Sequence, residues 1–174
     1  MKISFIGTAA CIPGKDEEVA SFLINENVLV DTGWCNVLKM KGQGHAPEKI
    51  EYLILTHLHQ DHYLGLPQLL FYLGIGKLNG SYSQRQPLTI IGPSEKLLYI
   101  LKKTEEFLQL ERFPELVIQI NPYVLVPGNK YEDDKILLET VSAKHHSGIE
   151  RLEDALVCKL TDKASGKTIC FTGD

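Results

Sequence analysis

The sequence predicts an α/β layered domain with mixed β-sheets. Apolar runs of strand length outnumber the helical patterns, and each predicted helix follows a strand. The chain has 174 residues, which is enough for one domain with a substantial core and too few for two ordinary domains. We therefore expect a single domain over residues 1–174.

Composition and charge narrow the class of protein. Hydrophobic residues make up 44% of the chain and charged residues 23%, as in a globular protein. The 18 basic and 22 acidic residues give a net charge of −4, which argues against a strong non-specific grip on nucleic acid or anionic membrane. An anionic substrate stays compatible with this charge, because a bound metal supplies positive charge locally.

The cysteine pattern favours a cytoplasmic protein with reduced thiols. None of the four cysteines belongs to a CxxC pair, and the chain does not have the pattern of a small secreted disulfide scaffold. They are Cys11, Cys35, Cys158 and Cys170. No apolar run approaches the roughly 20 residues of a membrane span, so we expect no membrane partner.

The first third of the chain is predicted to be mainly β-structure. Strands are predicted at residues 3–6, 20–25 and 28–30, and the turn-forming sequence Asn25-Glu26-Asn27 favours a hairpin between the last two. A short helix is predicted over residues 34–41. Residues 51–56 form the strand that leads into the richest cluster of ligand-type residues in the chain.

A longer helix is predicted directly after that cluster. Pro67 suits its first turn, and leucines at helical spacing give it one apolar face, with an end expected near Gly74 or Gly76. A strand at 88–91 and a helix at 94–110 follow. Further strands are predicted at 116–120, 123–126, 136–143, 155–160 and 168–172. The last strand runs to the end of the sequence, so the domain is expected to be incomplete at its C-terminus.

Ligand-type side chains are concentrated at the end of the strand at 51–56. His57, His59, Asp61 and His62 fall within six residues, and imidazole nitrogen and carboxylate oxygen are ligands that zinc and similar ions accept. Two histidines two positions apart on a strand face the same side, and the loop can turn Asp61 and His62 towards a second point. Such a stretch can hold two metal ions about 3.5–4 Å apart.

Two other predicted strands also lead into ligand-type residues. His145 and His146 follow the strand at 136–143, and Asp174 follows the strand at 168–172. A His-His pair alone is more often a surface accident than a metal site. Beside the first cluster, His146 is the favoured ligand of the pair and His145 is not.

These motifs together resemble those of the metallo-β-lactamase superfamily. The stretch from His57 to His62 matches the HxHxDH signature, and several other stretches match in order along the chain. They are Ile6-Gly7-Thr8, Val30-Asp31-Thr32-Gly33, His146-Ser147 and Phe171-Thr172-Gly173-Asp174. Gly65-Leu66-Pro67 and the run from Leu88 to Pro93 are similar to the ribonuclease Z-like branch.

The resemblance implies a fold and a set of ligands. The fold would be an αββα sandwich, with two mixed β-sheets and flanking helices. Two metal ions are implied, with zinc expected and Mn²⁺ or Fe²⁺ as alternatives. The first ion would be bound by His57, His59 and His146, the second by Asp61 and His62, and Asp174 would bridge the two.

The resemblance also implies a chemistry. A hydroxide shared by the metals would attack a phosphodiester or related ester, with Asp61 as the catalytic proton acceptor. Asp31 would orient a ligand histidine or the motif loop, although a helix N-cap or an Asx-turn explains an aspartate there equally well. The alternatives are a lactonase or thioesterase on the same metals, and a catalytically silent binding protein.

The sequence departs from the family pattern in two ways. The family closes the second metal site with a histidine beyond the position of Asp174, so the chain is predicted to be a fragment. Ribonuclease Z grips tRNA with a long arm between the third and fourth motifs. Here the predicted hairpin nearly fills the stretch between His146 and Asp174, so tRNA is not favoured. We expect a small-molecule or nucleotide-type ester as substrate, and a homodimer is compatible with the sequence.

Overall fold

Two β-sheets form the frame of the molecule in the computed structural model. The structure describes residues 1–147, 150–152 and 154–173. Side chains are described for all of these except 146, 147 and 150–152. The first sheet has six strands in the order β1 to β6, antiparallel from β1 to β3 and parallel from β3 to β6. Its strands are β1 (Ile3–Gly7), β2 (Ser21–Ile24), β3 (Val28–Val30), β4 (Tyr52–Ile54), β5 (Leu88–Gly92) and β6 (Ile120–Val124).

The second sheet is antiparallel and comes from the last third of the chain. The strands there are β7 (Lys130–Glu132), β8 (Ile136–Ser142), β9 (His145–Ser147), β10 (Glu150–Leu152), β11 (Leu156–Asp162) and β12 (Lys167–Phe171). The sheet has the order β12-β11-β8-β7, and β9 and β10 form a separate hairpin. The expected α/β fold with two sheets is therefore confirmed.

Three helices pack on the face of the six-stranded sheet that points away from the second sheet. They are α1 (Asn36–Gly42), α2 (Leu66–Leu78) and α3 (Lys96–Phe107). One core cluster joins this helical layer to the sheet, and a second cluster lies between the two sheets. Strand β4 contributes Leu53 to the first cluster and Tyr52 and Ile54 to the second, as expected of a parallel strand that is buried on both faces.

The structure corrects several predicted boundaries. Helix α2 continues past Gly74 and Gly76 to Leu78. A Cβ on Gly74 would lie 2.5 Å from the carbonyl oxygen of Leu116, so this glycine allows close packing and does not end the helix. Residues predicted as a strand at 116–120 instead begin with a 3₁₀ turn, Pro114–Leu116, and strand β7 was not predicted.

The predictions about the cysteines and about membrane-spanning segments can be compared with the structure. All four cysteines are free thiols, and Cys158 is the buried one. Burial raises the pKa of the Cys158 thiol to about 12, so this group stays protonated. Among the described residues there is no helix with the length and apolar character needed to cross a bilayer.

Candidate metal centre

The ligand cluster lies where strand β4 ends. Parallel strands place their carboxyl ends at one edge of a sheet, and the loops that leave those ends meet there. After Ile54 the chain runs through Thr56 and His57 and then makes a 3₁₀ turn over Gln60–His62. His57 is only 2% exposed and His62 only 1%, so the loop carries its imidazoles into the protein.

Three imidazole rings converge at this edge. His57 Nε2 lies 3.1 Å from His59 Nδ1, and His145 Nε2 lies 3.0 Å from the same atom. The ligand atoms of the three residues all lie within 4.8 Å of one another. Tetrahedral zinc with bonds of 2.0–2.1 Å would hold its ligand nitrogens about 3.3 Å apart. The described side chains therefore fit a single first-row metal ion.

The third histidine of this group is His145, whereas the sequence favoured His146. His145 is the first residue of β9 and reaches His59 across 86 residues of sequence. The side chain of His146 lies outside the described part of the structure, so its predicted role stays a prediction.

Asp61 and His62 form a second group beside the three imidazoles. Asp61 Oδ2 lies 3.6 Å from His62 Nε2, and the centroids of the His62 and His57 rings are 4.1 Å apart. A carboxylate and an imidazole at this separation can share a second cation. Asp174, the predicted bridging ligand, lies outside the described residues.

The carboxylate of Asp31 holds both parts of the motif. Its Oδ1 accepts the backbone N–H of Thr56 at 2.8 Å, and its Oδ2 accepts the Thr56 hydroxyl at 2.8 Å. The same Oδ2 lies 2.9 Å from His62 Nδ1. Helix α1 has Cys35 at its N-cap, so Asp31 does not cap that helix. The geometry agrees with the predicted orienting role.

The backbone around Asp31 is shaped for this contact. Asp31 has a φ of 55°, a left-handed conformation that is uncommon outside glycine. Thr32 N–H donates to the carbonyl of His62 at 2.8 Å, and Gly65 N–H donates to the carbonyl of Thr32 at 3.1 Å. A Cβ on Gly65 would lie 2.5 Å from Thr32 Oγ1 and would also meet the carbonyl oxygen of Gly33. The turn after β3 and the histidine loop therefore pack backbone to backbone.

Burial sets the charge state of the central histidine. Burial, and after it the neighbouring rings of His62, His145 and His59, together lower the pKa of His57 to about 2. His57 is therefore neutral at physiological pH. A neutral imidazole is the form that binds a metal ion.

One buried carboxylate near the site was not singled out from the sequence. Glu18 is 2% exposed and accepts backbone N–H groups from Val19 at 2.8 Å, Trp34 at 2.7 Å and Cys35 at 2.5 Å. It fixes the loop that follows Asp31. In the sequence Glu18 ends a charged run in a predicted loop, which has no signal for burial.

Comparison with known proteins gives one family match. A family model described as the metallo-beta-lactamase superfamily matches residues 14–138. Ribonuclease Z of Pyrococcus abyssi is 33% identical over 103 residues, which is 58% of this chain and 32% of that protein. Ribonuclease Z of Aeropyrum pernix is 26% identical over 171 residues, which is 96% of this chain and 53% of that protein. The chain thus spans about half, or less, of the length of these curated relatives.

Solved structures share the fold. Human tRNase Z, short form, superposes with a TM-score of 0.77 at 23% identity. The superposed region covers 100% of this chain and 69% of the human chain. The metallo-beta-lactamase fold protein YhfI from Bacillus subtilis superposes with a TM-score of 0.70 at 20% identity. The superposed region covers 99% of this chain and 62% of the YhfI chain. The fold predicted from the sequence is confirmed by both.

Proposed function

Because the chain belongs to the metallo-beta-lactamase superfamily, we propose that it acts as a metal-dependent hydrolase of the ribonuclease Z-like kind on a phosphodiester or related ester. One observation carries the proposal. The ligand nitrogens of His57, His59 and His145 lie within 4.8 Å of one another, at the end of a parallel strand and beside Asp61 and His62.

The proposed centre would hold two zinc ions. His57 and His59 would bind the first, together with His145 from the cluster or with His146 as predicted from the sequence. Asp61 and His62 would bind the second, with Asp174 as the shared ligand expected from the motif pattern. Mn²⁺ or Fe²⁺ would suit the same nitrogen and oxygen donors. When bound, these cations act as Lewis acids that polarise the substrate and lower the pKa of bound water.

The protein side chains supply orientation and a proton acceptor. Asp31 hydrogen-bonds His62 directly and holds Thr56 at the start of the loop, so the ligand rings are in place before a metal binds. Asp61, with a side chain only 14% exposed, lies beside His62 and is the proposed proton acceptor. The deep burial of His57 keeps water away from one side of the centre.

Two features support a nucleotide-type substrate. The curated relatives are named ribonucleases, and a ribonuclease cleaves phosphodiester bonds. The chain has a net charge of −4, so positive charge for an anionic ester would come from the metal ions. Between His145 and Gly173 the chain forms the β9–β10 and β11–β12 hairpins. We therefore propose a substrate smaller than tRNA.

Metal content and a substrate panel test this function. We expect about two metal ions per chain in protein purified without chelator, and hydrolysis of bis-p-nitrophenyl phosphate that is lost after chelation and restored by zinc. A lactone, a thioester and a precursor tRNA complete the panel. Absence of metal would overturn the enzyme proposal in favour of a binding protein. Lactone or thioester hydrolysis without phosphodiesterase activity would assign the centre to the other ester class, and cleavage of the precursor tRNA would refute the smaller substrate.

We also propose that the protein forms a homodimer through the outer face of α2. Phe71, Ile75 and Leu78 lie on that face at helical spacing and are 48%, 36% and 58% exposed. The opposite face of α2 is buried in the core. Lys77 is the only charged residue of this helix. A helix that is apolar all round is usually buried on all sides.

Sedimentation of the wild type and of Phe71→Lys tests the dimer. We expect a dimer for the wild type at micromolar concentration and a monomer for the variant. Val141→Lys is the matched control, because Val141 is 58% exposed on the other sheet. A monomeric wild type, or a dimer that Phe71→Lys leaves intact, would exclude this interface.

A further inference from the structure

The hydroxyl of Thr56 occupies a junction that the family motif does not explain. Thr56 is 1% exposed and immediately precedes His57. Its Oγ1 lies 2.8 Å from Asp31 Oδ2 and 3.1 Å from His57 Nδ1. Its backbone N–H donates to Asp31 Oδ1, and its carbonyl accepts the N–H of Leu156 from β11. Every polar atom of this threonine is therefore engaged.

Proton counting decides the direction of these hydrogen bonds. A carboxylate accepts hydrogen bonds and donates none, and a threonine hydroxyl has one proton. The Thr56 proton therefore goes to Asp31 Oδ2, and the oxygen can only accept from His57. His57 must therefore have a proton on Nδ1 to make this contact. Nε2, its other ring nitrogen, lies 3.1 Å from His59 Nδ1.

The same reasoning applies to His62. Its Nδ1 lies 2.9 Å from Asp31 Oδ2, so this nitrogen has a proton and donates it to the carboxylate. The Nε2 of His62 is on the side of Asp61. The carboxylate of Asp31 thus orients two histidine rings. It contacts His62 directly and His57 through the hydroxyl of Thr56.

We propose that Thr56 is a positioning residue whose hydroxyl fixes the tautomer of His57, so that Asp31 orients the ligand nitrogens of both proposed metal positions at once. The proposal rests on the proposed function only in assigning a metal to these nitrogens. The tautomer itself is a property of the metal-free protein. Outer partners of metal-binding histidines typically change metal affinity by about 10–100-fold when removed.

The close packing around Thr56 limits the substitutions that can be tested at this position. A Cβ on Gly173 would lie 2.7 Å from Thr56 Oγ1, so there is no space for a larger residue at position 56. Thr56→Val keeps the shape and removes the hydroxyl, whereas Thr56→Ser keeps the hydroxyl. Thr140→Val is the matched control, because Thr140 is also a buried threonine that donates to backbone carbonyls, at 3.1 and 3.3 Å, in the other sheet.

Two measurements test the proposal on the full chain. Long-range ¹H–¹⁵N spectra of the metal-free wild type should show His57 protonated on Nδ1, and Thr56→Val should move the proton wholly or partly to Nε2. Zinc affinity from competition with a chromogenic chelator should fall by about 10–100-fold in Thr56→Val and stay at the wild-type value in Thr56→Ser and Thr140→Val.

The outcomes separate this proposal from the proposed function. A wild-type His57 protonated on Nε2 would overturn the Thr56 proposal, even if Thr56→Val does not fold. The same conclusion would follow from a folded Thr56→Val protein with unchanged tautomer and unchanged zinc affinity. A wild type with the expected tautomer and no zinc binding would instead overturn the metal centre and leave the hydrogen-bond arrangement in place.

Discussion

The two ends of the six-stranded sheet both carry polar networks, but they distribute charge differently. At the end where β3 and β4 begin, Lys135 Nζ contacts both carboxylate oxygens of Glu51 at 2.9 Å. At the same end, the hydroxyls of Tyr52 and Tyr131 both donate to Asp133 Oδ2, at 2.6 and 2.9 Å. At the end where these strands finish, Asp31 binds neutral donors, and imidazole nitrogens face one another.

The difference lies in how the charged groups of the two networks are paired. The acidic groups at the Lys135 end already have protein partners, so the network is complete within the chain. At the histidine end, the ligand nitrogens of His57, His59 and His145 lie within 4.8 Å of one another, and the proposed metal ion would bind there. A cavity of about 920 Å³ opens at the Lys135 end. Cavity size alone would therefore point to the end opposite the proposed metal centre.

The largest effect is expected from His59→Ala. His59 Nδ1 is the atom that both other imidazoles approach, at 3.1 and 3.0 Å. Zinc affinity should fall by more than about 100-fold, beyond the range typical of outer partners. Isothermal titration with zinc measures this. His45→Ala is the control, because His45 is a partly buried histidine outside the cluster. Equal affinity in the two variants would remove the histidine end from consideration as a metal centre.

A second variant pair decides the third ligand. His145→Ala should lower zinc affinity at the first position, because the His145 ring is in the cluster, and His146→Ala is the paired variant that tests the ligand predicted from the sequence. Cobalt substitution provides the readout, since the visible spectrum of Co²⁺ reports the number of ligands. The reverse result would restore the ligand set that the sequence favoured.

Gly65→Ala should weaken the packing that supports the centre. The new methyl group would meet Thr32 Oγ1 and the carbonyl of Gly33. Overpacking of this kind costs about 1–3 kcal/mol of unfolding free energy, measured by urea denaturation, and we expect weaker zinc binding as well. For comparison, Gly42→Ala places its methyl group where nothing lies within 4 Å. If both variants unfold at the same urea concentration, the contact between the two loops is not tight.

The smallest effect is expected at the other end of the sheet. Lys135→Met removes an ion pair whose side chains are 38% and 29% exposed, so the unfolding free energy should change by at most about 1 kcal/mol. Zinc affinity should not change, since the ion pair lies at the opposite end of the strands. A substantial loss of zinc binding in this variant would mean that the two ends are coupled and would weaken the comparison.

Local patterns in the sequence predicted most of the fold and the first part of the site. The motif from His57 to His62 needs only six residues, and strands β2, β3 and β4 were located within one or two residues by their apolar runs. Strand β7 was missed, because Lys130–Glu132 has two charged residues in three and its place in the sheet comes from pairing with β8.

The remaining site features depend on contacts that no local pattern contains. The position of the His145 ring in the cluster depends on the register of β9, because a shift of one residue moves every side chain of a strand to the other face. Asp31 and Thr56 are 25 residues apart, and the sequence left the role of Asp31 open between three alternatives. The burial of Glu18 depends on backbone N–H groups 16 and 17 residues away.

The contact between His59 and His145 has a consequence for folding. The two residues are 86 positions apart. His59 belongs to the loop after β4 and His145 to β9, which lies in the chain between β8 and β11 of the second sheet. A cation bound by both would act as a cross-link that closes a long loop, and cross-links of long loops remove the most entropy from the unfolded chain. A ligand that binds only the folded state adds about 2.7 kcal/mol of stability at a concentration of 100 times its Kd. The association of the two sheets, and with it the melting temperature, would then follow the concentration of free zinc.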